Sequence, residues 1–275
     1  MGTWSKEEIQ LLKDNFEMMT NNELAKLLNR TKSAIINKLN ELGLKRPEQY
    51  HYDKNFFKII DNEEKAYWLG FFMADGYVWQ TDRNNELGCE LSVRDRSHLV
   101  KFNKCIGGNL NINTRHREGH WCKDFMGKDY DVCSIRLYSK QIVDDIIAHG
   151  CVQNKSLVVG MPKIDKVLMR HWLRGYFDGN GTIARPKHLV VTITTASLNL
   201  VDAMRDVLLN DYGVYTYKTL SQTHNELYPD VYKIGVSGKE NISNFLNLLY
   251  KDCTVYLDRK KKLYDNVIAS LSSDA

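Results

Sequence analysis

Two apolar stretches of the chain, about a hundred residues apart, follow one pattern. Residues 68–76 read WLGFFMADG and residues 173–181 read LRGYFDGNG. Each has a glycine, Gly70 or Gly175, with a second small residue four positions later. Residues at this spacing share one face of a helix. The pattern predicts a duplicated unit with two helices whose small residues let their backbones pack closely.

Both stretches end in a polar residue followed by glycine, which is a common end of a helix. This places Asp75 at a helix C-terminus, where the helix dipole disfavours an anion by about 0.3–1 kcal/mol. A carboxylate in such a position indicates a role other than stability, and a divalent metal ion is its simplest partner. The second copy has Asn180 at this position, which keeps an oxygen ligand but lacks the charge. Asp178 does not substitute for it, because two residues along a helix turn the side chain roughly 160° away.

The same order of periodicities follows each apolar stretch. Alternating apolar and polar residues predict strands, and three-to-four-residue repeats predict helices. In the first half these elements are strands around residues 77–80 and 86–93, a helix from 97, strands around 110–117 and 132–139, and a helix over 140–149. The second half repeats the order through residue 250. The predicted fold class is α+β, with two αββαββα halves whose four-stranded antiparallel sheets are related by a pseudo-twofold axis.

The first 46 residues have a different, purely helical pattern. Ser5 and Thr20 each open a capping box, and Thr31 precedes a third apolar stripe. Three short helices fit a small all-α helix-turn-helix domain, and the segment resembles Myb/SANT-type or sigma-factor-type DNA-binding modules. The residues of the third helix predicted to contact DNA are Lys32, Ser33, Asn37 and Lys38. A three-helix cap with a solvated polar face is the alternative.

These patterns divide the chain into four segments. They are the helix-turn-helix module at 1–46, a linker at 47–62, the first half at 63–160 and the second half at 161–275.

The net charge of +4 is mild, so a nucleic-acid surface has to come from the placement of charges. No apolar run is long enough to span a membrane and the N-terminus does not resemble a signal peptide. The six cysteines form no C-x-x-C pair, so we expect reduced thiols and a cytoplasmic location, in a bacterial or phage-infected host or in an organelle.

The two apolar stretches are similar to the signature helices of the LAGLIDADG homing endonucleases. Aligned to that nine-letter motif, Asp75 and Asn180 fall at the second acidic position, which in the family binds metal for phosphodiester cleavage. The first acidic position holds Met73 in one copy and Asp178 in the other. The resemblance implies a monomeric, double-motif protein whose sheets form a saddle on double-stranded DNA. It also implies a long, asymmetric target and a gene within a mobile intron, an intein or a free-standing element, and the absence of splice-junction residues at either end argues against a complete intein.

The resemblance also implies a set of site residues. The expected metal is Mg²⁺ or Mn²⁺, and Ca²⁺ would occupy the site without supporting cleavage. Asp75 and Asn180 would bind it, with backbone carbonyls that include Ala74 and Gly179. The family places a basic residue near the scissile phosphate after each half, and Lys155 and Lys260 are the matching candidates.

Basic residues on the strands and loops supply the charge that a DNA-binding saddle needs. Those predicted to contact DNA are Arg83, Arg94, Arg96, Arg115, Arg117, Arg136, Arg185, Lys187, Lys218 and Lys233. For any single residue, an ordinary solvated charge is an equal alternative.

Asn180 leaves several interpretations open. The protein is an active endonuclease altered at one position, a natural enzyme that nicks one strand, or a relative that binds without cutting. A DNA-binding regulator or an RNA maturase on the same fold is the alternative to an enzyme.

Overall fold

The computed structural model describes residues 3–45, 50–119, 121–122, 125–185, 188–221 and 229–273. The chain divides into two compact units, Met1–His51 and Tyr52–Ala275. No helix among the described residues is both long and apolar enough to cross a membrane. Five cysteines with described side chains are free thiols: Cys89, Cys105, Cys133, Cys151 and Cys253.

The N-terminal unit contains three short helices. They are α1 (Lys6–Asn15), α2 (Asn21–Leu27) and α3 (Lys32–Glu41). The side chains of Ser5 and Thr20 accept hydrogen bonds in complete capping boxes, and Thr31 caps α3. A cluster of leucine and isoleucine side chains forms the core of this unit, and Leu12, Leu24 and Ile35 are fully buried in it.

The larger unit contains the duplicated halves. The first half consists of α4 (Glu63–Asp75), β1 (Gly76–Gln80), β2 (Asn85–Ser92), α5 (Arg96–Cys105), β3 (Asn113–Arg117), β4 (Trp121–Cys122), β5 (Phe125–Met126), β6 (Tyr130–Tyr138) and α6 (Lys140–Ala148). The second half consists of α7 (Met169–Asn180), β7 (Gly181–Ala184), β8 (Val190–Thr195), α8 (Leu198–Tyr212), β9 (Thr216–Ser221), β10 (Val231–Val236), α9 (Lys239–Tyr250) and α10 (Asp258–Ser273). Short 3-10 helices lie at Val93–Asp95, Lys155–Leu157 and Lys166–Leu168.

The two halves have matching sheets. The strand orders are β1-β2-β6-β3 and β7-β8-β10-β9, and every pairing within them is antiparallel. The predicted α+β fold class with two αββαββα halves is therefore confirmed. The β4–β5 hairpin and helix α10 are additional elements that the sequence analysis did not predict.

Helices α4 and α7 cross almost backbone to backbone. A Cβ atom on Gly70 would lie 2.1 Å from the carbonyl oxygen of Trp172, and one on Gly175 would lie 1.9 Å from that of Tyr67. A Cβ atom on Gly179 would lie 2.4 Å from that of Ala74. The contacts are reciprocal, as a pseudo-twofold axis between the helices requires. Only glycine permits this approach, because any side chain would have to displace backbone of the opposite helix.

We expect Gly70→Ala to destabilise the larger unit by about 1–3 kcal/mol, because the added methyl group forces the two helices apart. The measurement is the free energy of unfolding in urea. Gly160→Ala is the matched control, since a Cβ atom there would have only the side-chain nitrogen of Asn199 within 4 Å, at 3.7 Å. Equal stability of the two variants would contradict the close helix crossing.

The segment before α4 differs from the predicted linker. Residues 47–49 lie outside the described residues, but Phe56, Phe57 and Ile60 are buried in the main core. The rings of Phe57 and Phe72 meet edge to face with their centroids 5.8 Å apart. The aromatic residues before α4 therefore belong to the core of the larger unit.

Candidate functional site

The C-terminal ends of α4 and α7 meet at the middle of the larger unit. Asp75 is the last residue of α4 and Asn180 is the last residue of α7. A Cβ atom on Gly179 would lie 3.2 Å from the carboxyl carbon of Asp75. The two polar side chains predicted to bind metal are thus brought to adjacent helix ends, with Ala74 and Gly179 between them.

The Asp75 carboxylate is in an environment that disfavours its charge. Burial raises its pKa, whereas the nearby positive charges of Lys260, Lys155 and Arg259 lower it, and burial has the larger effect. The helix C-terminus adds a further unfavourable dipole. A carboxylate in this environment gains stability from a cation that approaches the exposed part of the side chain.

Lys155 and Lys260 occupy equivalent positions in the two halves. The Nζ atom of Lys155 donates a hydrogen bond to the carbonyl oxygen of Gly76, and that of Lys260 donates to the carbonyl oxygen of Gly181. The lysine follows the glycine by 79 residues in both halves. Each lysine therefore binds the residue directly after Asp75 or Asn180 and compensates the negative end of a signature helix.

Lys260 is more deeply buried than Lys155. Its side chain lies in the first turn of α10 and is 2% exposed, and Nζ also donates to the carbonyl oxygen of Phe177 at 2.7 Å. Burial lowers its pKa to about 8. Helix α10 is attached to the first half through the Arg259–Asp95 ion pair at 2.9 Å. The start of α10 therefore contacts the first half through Arg259 and the second half through Lys260.

A cavity of about 250 Å³ lies beside Asn180. Its lining is mixed, with polar groups from Lys155, Tyr176 and Thr194 and apolar groups from Met73 and Val159. The amide nitrogen of Asn180 donates to the Tyr176 hydroxyl at 3.2 Å. Because the amide nitrogen is bonded to Tyr176, the amide oxygen of Asn180 is the atom of this side chain that is left to bind a ligand.

Asp178 lies in the core. It is completely buried and accepts hydrogen bonds from the hydroxyl groups of Tyr67 at 2.6 Å and Tyr250 at 2.5 Å, and from the backbone nitrogen of Leu257 at 2.7 Å. Its counterpart Met73 accepts a contact from the indole nitrogen of Trp172 at 3.3 Å. The first acidic position of the motif thus holds structural residues in both halves.

The donor set fits a hard cation that keeps most of its own water. Asp75 would supply one carboxylate and Asn180 an amide oxygen, and the backbone carbonyls of Ala74 and Gly179 are the further ligands that the sequence analysis predicts. The described residues include no group of three or more His, Cys, Asp or Glu side chains that would bind a metal ion alone. Mg²⁺ binds in this manner, through one or two carboxylates together with phosphate oxygens of a substrate.

The outward face of the first sheet, the one without helices, carries three of the predicted arginines. In the strand pairing, Arg115 lies opposite Val132 and Arg136 lies opposite Gly88, which places both on this face with Arg117. Arg115 and Arg117 each form an ion pair with Glu90, and the Nε atom of Arg136 lies 3.5 Å from Glu86.

On the second sheet, the two predicted lysines lie on opposite faces. Lys233 is exposed on the outward face, opposite Thr194 and Thr219. Lys218 lies opposite the fully buried Ile234, on the side covered by helices, and its Nζ atom is 2.8 Å from Asp202 of α8. Lys218 is therefore not placed for the predicted DNA contact, because side chains alternate between the faces of a strand.

The remaining predicted contacts are on loops and helix ends. Arg83, Arg94, Arg96 and Arg185 are exposed, and Lys187 lies outside the described residues. In the N-terminal unit, Lys32, Ser33 and Asn37 are exposed on α3. Lys38 differs from the prediction, because its ammonium group is 2.8 Å from Glu41 and folds over the ring of Trp4.

The sequence analysis missed several residues of the site. Tyr176 orients Asn180. The corresponding residue of the first half is Phe71, so the additional hydroxyl group in the second motif is the sequence feature that could have identified Tyr176. Glu86 and Glu90 pair with the arginines of the first sheet, and no local pattern identifies them. Asp95 holds α10 through Arg259 across a long sequence separation.

Comparisons with known proteins agree with this architecture. Residues 168–250 match the family model of the LAGLIDADG-like domain. The chain is 27% identical over 190 residues to the replication factor C small subunit of Methanocaldococcus jannaschii, covering 68% of this chain and 9% of that protein. It is 21% identical over 210 residues to the DNA-directed RNA polymerase subunit Rpo1C of the same organism, covering 76% and 21%. The chain thus spans less than a quarter of the length of either relative.

Among solved structures, the homing endonuclease I-WcaI bound to its DNA recognition sequence is similar to this chain. The match covers 74% of this chain and 90% of that one, with 12% identity and a TM-score of 0.51. The likeness is one of fold. Residues 168–250 thus match a LAGLIDADG-like domain, and the larger unit has the two-half LAGLIDADG fold.

Proposed function

We propose that the protein is a site-specific, metal-dependent endonuclease of double-stranded DNA. One observation carries this proposal: Asp75 and Asn180 lie at adjoining helix ends, each followed by a glycine whose carbonyl group binds a lysine. The arrangement combines a metal ligand with fixed positive charge. A DNA strand passing the helix ends would meet both, and the outward faces of the two sheets would hold the duplex on either side.

In this proposal Asp75 would hold Mg²⁺ or Mn²⁺, together with oxygen atoms of Asn180 and the helix ends. The chemistry that the metal would supply when bound is polarisation of the phosphate and activation of water. Lys155 is fixed by the Gly76 carbonyl group and is partly exposed, so it would offer positive charge to a phosphate without reorganising, whereas the buried Lys260 would act on the site through its electric field. Because the protein provides one carboxylate, we expect metal binding to be weak until phosphate oxygens of DNA complete the coordination.

The asymmetry between Asp75 and Asn180 predicts unequal cleavage of the two strands. An amide oxygen is a weaker ligand for Mg²⁺ than a carboxylate, so the Asn180 position contributes less to metal binding. In this form the protein nicks duplex DNA. The same residue favours the second candidate function, a regulator that binds DNA without cutting it or a maturase that binds intron RNA.

The N-terminal unit is proposed to bind DNA through the exposed polar face of α3. Lys32, Ser33 and Asn37 are the residues available for contact, whereas Lys38 is held within the unit. We expect the complete protein to act as a monomer on a long, asymmetric target.

We expect Asn180→Asp to convert nicking into double-strand cleavage, because a second carboxylate completes the metal site. The substrate is a supercoiled plasmid library that contains cloned random targets, incubated with Mg²⁺. Nicked circles from the unchanged chain and linear DNA from Asn180→Asp would support the enzyme. The expected gain in linear product is on the order of 100-fold, the size typical for restoring a group of a metal centre.

Binding to the same targets in Ca²⁺ is the control for this experiment. Asn180→Asp should bind with nearly unchanged affinity, since the substitution alters one ligand and no base contact. Specific binding with no cleavage by either form would instead identify a DNA-binding regulator. Preference for structured intron RNA over duplex DNA would identify a maturase.

A further inference from the structure

The outward faces of the two sheets differ in chemistry. The first face, defined by its alternate residues, has a charged group of Glu86, Glu90, Arg115, Arg117 and Arg136. Apart from Tyr217, whose exposed ring lies over Gly235, the second face has small, methyl-bearing residues, which include Thr182, Ala184, Val190, Thr192, Thr194 and Thr219. Lys233 is the charged side chain among the described strand residues of the second face.

The first face is better suited to base edges than to phosphates. Glu90 contacts both Arg115 and Arg117, and Glu86 lies beside Arg136. Carboxylates at these positions repel the phosphate backbone, which a surface built only for affinity would avoid. In the major groove, a G·C pair presents two acceptors on guanine beside the amino donor of cytosine. An arginine next to a glutamate presents the complementary donors and acceptor.

The guanidinium groups are accessible to base edges while they stay paired. The arginine side chains are 39–50% exposed, whereas those of Glu90 and Glu86 are 22% and 11% exposed, and Glu86 also accepts a hydrogen bond from the Tyr77 hydroxyl. The carboxylates also hold the guanidinium groups above the strands, so part of the ordering of these long side chains is already complete before binding.

The second face is suited to thymine. Threonine and alanine methyl groups make apolar contacts with the C5-methyl group of thymine, which guanine, cytosine and adenine lack. Thr192 and Thr194 follow each other on this face of β8, and Thr219 lies across from Lys233 on the neighbouring strand. The low charge leaves little electrostatic preference that would mask such contacts.

The second face adjoins the candidate site, so the DNA segment that it contacts would begin next to the site of cleavage. Thr194 and Val231, both on the outward face, line the cavity beside Asn180. The methyl-bearing surface therefore starts at the helix ends and extends away from them along the second half.

We propose that the two halves read segments of opposite composition, the first sheet a G·C-rich segment and the second sheet a thymine-rich A·T segment. This inference rests on the proposed function as a binder of double-stranded DNA. It names the substrate within that class, and it assigns specificity to Arg136 and Thr192 as the central residues of the two faces.

Selection of bound duplexes from a randomised double-stranded library, with the full chain in Ca²⁺, tests the inference. We expect recovered sequences with a G·C-rich block on one side of the centre and an A·T-rich block on the other. Enriched sequences without such blocks would overturn the inference and leave the proposed function standing. Failure to enrich any duplex would overturn the proposed function and the inference with it.

Deoxyuridine in place of thymine gives a sharper measurement, because it removes only the C5-methyl group. Loss of one contacted methyl group should weaken binding roughly fourfold, the equivalent of one buried methylene. Thr192→Ser should abolish this sensitivity at one position, whereas Thr216→Ser, on the helix-covered face of β9, should preserve it. Affinity that does not change with deoxyuridine would overturn the thymine assignment.

Arg136→Ala provides the test of the first face. Discrimination between G·C and A·T at one position should fall by roughly 5- to 150-fold, as for the loss of a two-bond contact with guanine. The preferences in the A·T block should not change. Loss of affinity with the G·C preference intact would show that Arg136 contacts phosphate, and it would overturn the assignment.

Discussion

Asp75→Asn should abolish DNA cleavage and at the same time raise the melting temperature of the protein. The loss of activity should be about 100-fold or more, because the substitution removes the single carboxylate of the proposed metal site. The gain in stability follows from the environment of Asp75. Burial raises its pKa, and the end of α4 places the charge beside a negative dipole. A neutral amide of the same size avoids both costs.

The pH dependence provides the check on this explanation. Because the pKa of Asp75 is higher in the folded protein, the folded state binds the proton more tightly than the unfolded state does. The carboxyl group therefore costs no stability below the unfolded pKa, and the cost grows as the pH rises through the folded pKa. Melting curves of the two forms with a chelator should differ at neutral pH and converge in acid.

Asp82→Asn is the matched control, since Asp82 is exposed in the turn after β1. It should change neither cleavage nor melting temperature. Added Mg²⁺ and target DNA should stabilise the unchanged chain more than Asp75→Asn. A lower melting temperature for Asp75→Asn at neutral pH would contradict the proposed cost of the charge. Cleavage at the normal rate would remove Asp75 from the metal site.

The signature helices illustrate what the sequence predicts well. Their apolar runs, paired small residues and final polar-glycine steps are local signals, and the duplication shows that the same local structure occurs twice. The close approach at Gly70 and Gly175 and the order of elements follow from these signals. Lys155 and Lys260 were candidates through the family resemblance, and the structure adds that each lies 79 residues after the glycine whose carbonyl oxygen it contacts.

The differences arise where side-chain direction or long-range packing decides. Lys218 and Lys233 both look like basic strand residues, but the strand pairing places them on opposite faces. The length of the Lys38 side chain lets its ammonium group return to Trp4 within the unit. Helix α10 could have been predicted, because Tyr264, Val267, Ile268 and Leu271 have the i, i+3, i+4, i+7 spacing of an amphipathic helix, but its start was interpreted only as a basic run. The phenylalanines before α4 are equally plausible in a linker or a core until the packing is known.

The role of Asp178 shows the limit of the motif alignment. It occupies an acidic position of the signature sequence, yet its carboxylate is surrounded by three buried donors and has no access to a metal ion. The backbone nitrogen of Leu257 belongs to the turn before α10, and α10 carries Lys260. Asp178 thus connects the core to the candidate site through the start of this helix, which local sequence could not indicate.

Asp178→Ala should destabilise the larger unit by about 3–5 kcal/mol, because it leaves the hydroxyl groups of Tyr67 and Tyr250 and the nitrogen of Leu257 without their buried acceptor. The measurement is urea unfolding at neutral pH. Asp202→Ala, which removes the exposed partner of Lys218, is the control and should cost at most about 1 kcal/mol. If the two losses are equal, Asp178 is not the anchor of this network. If Asp178→Ala is strongly destabilised, the acidic residue of the second motif has a structural role in the core. Asp75 is then the acidic residue on which the chemistry of the site depends.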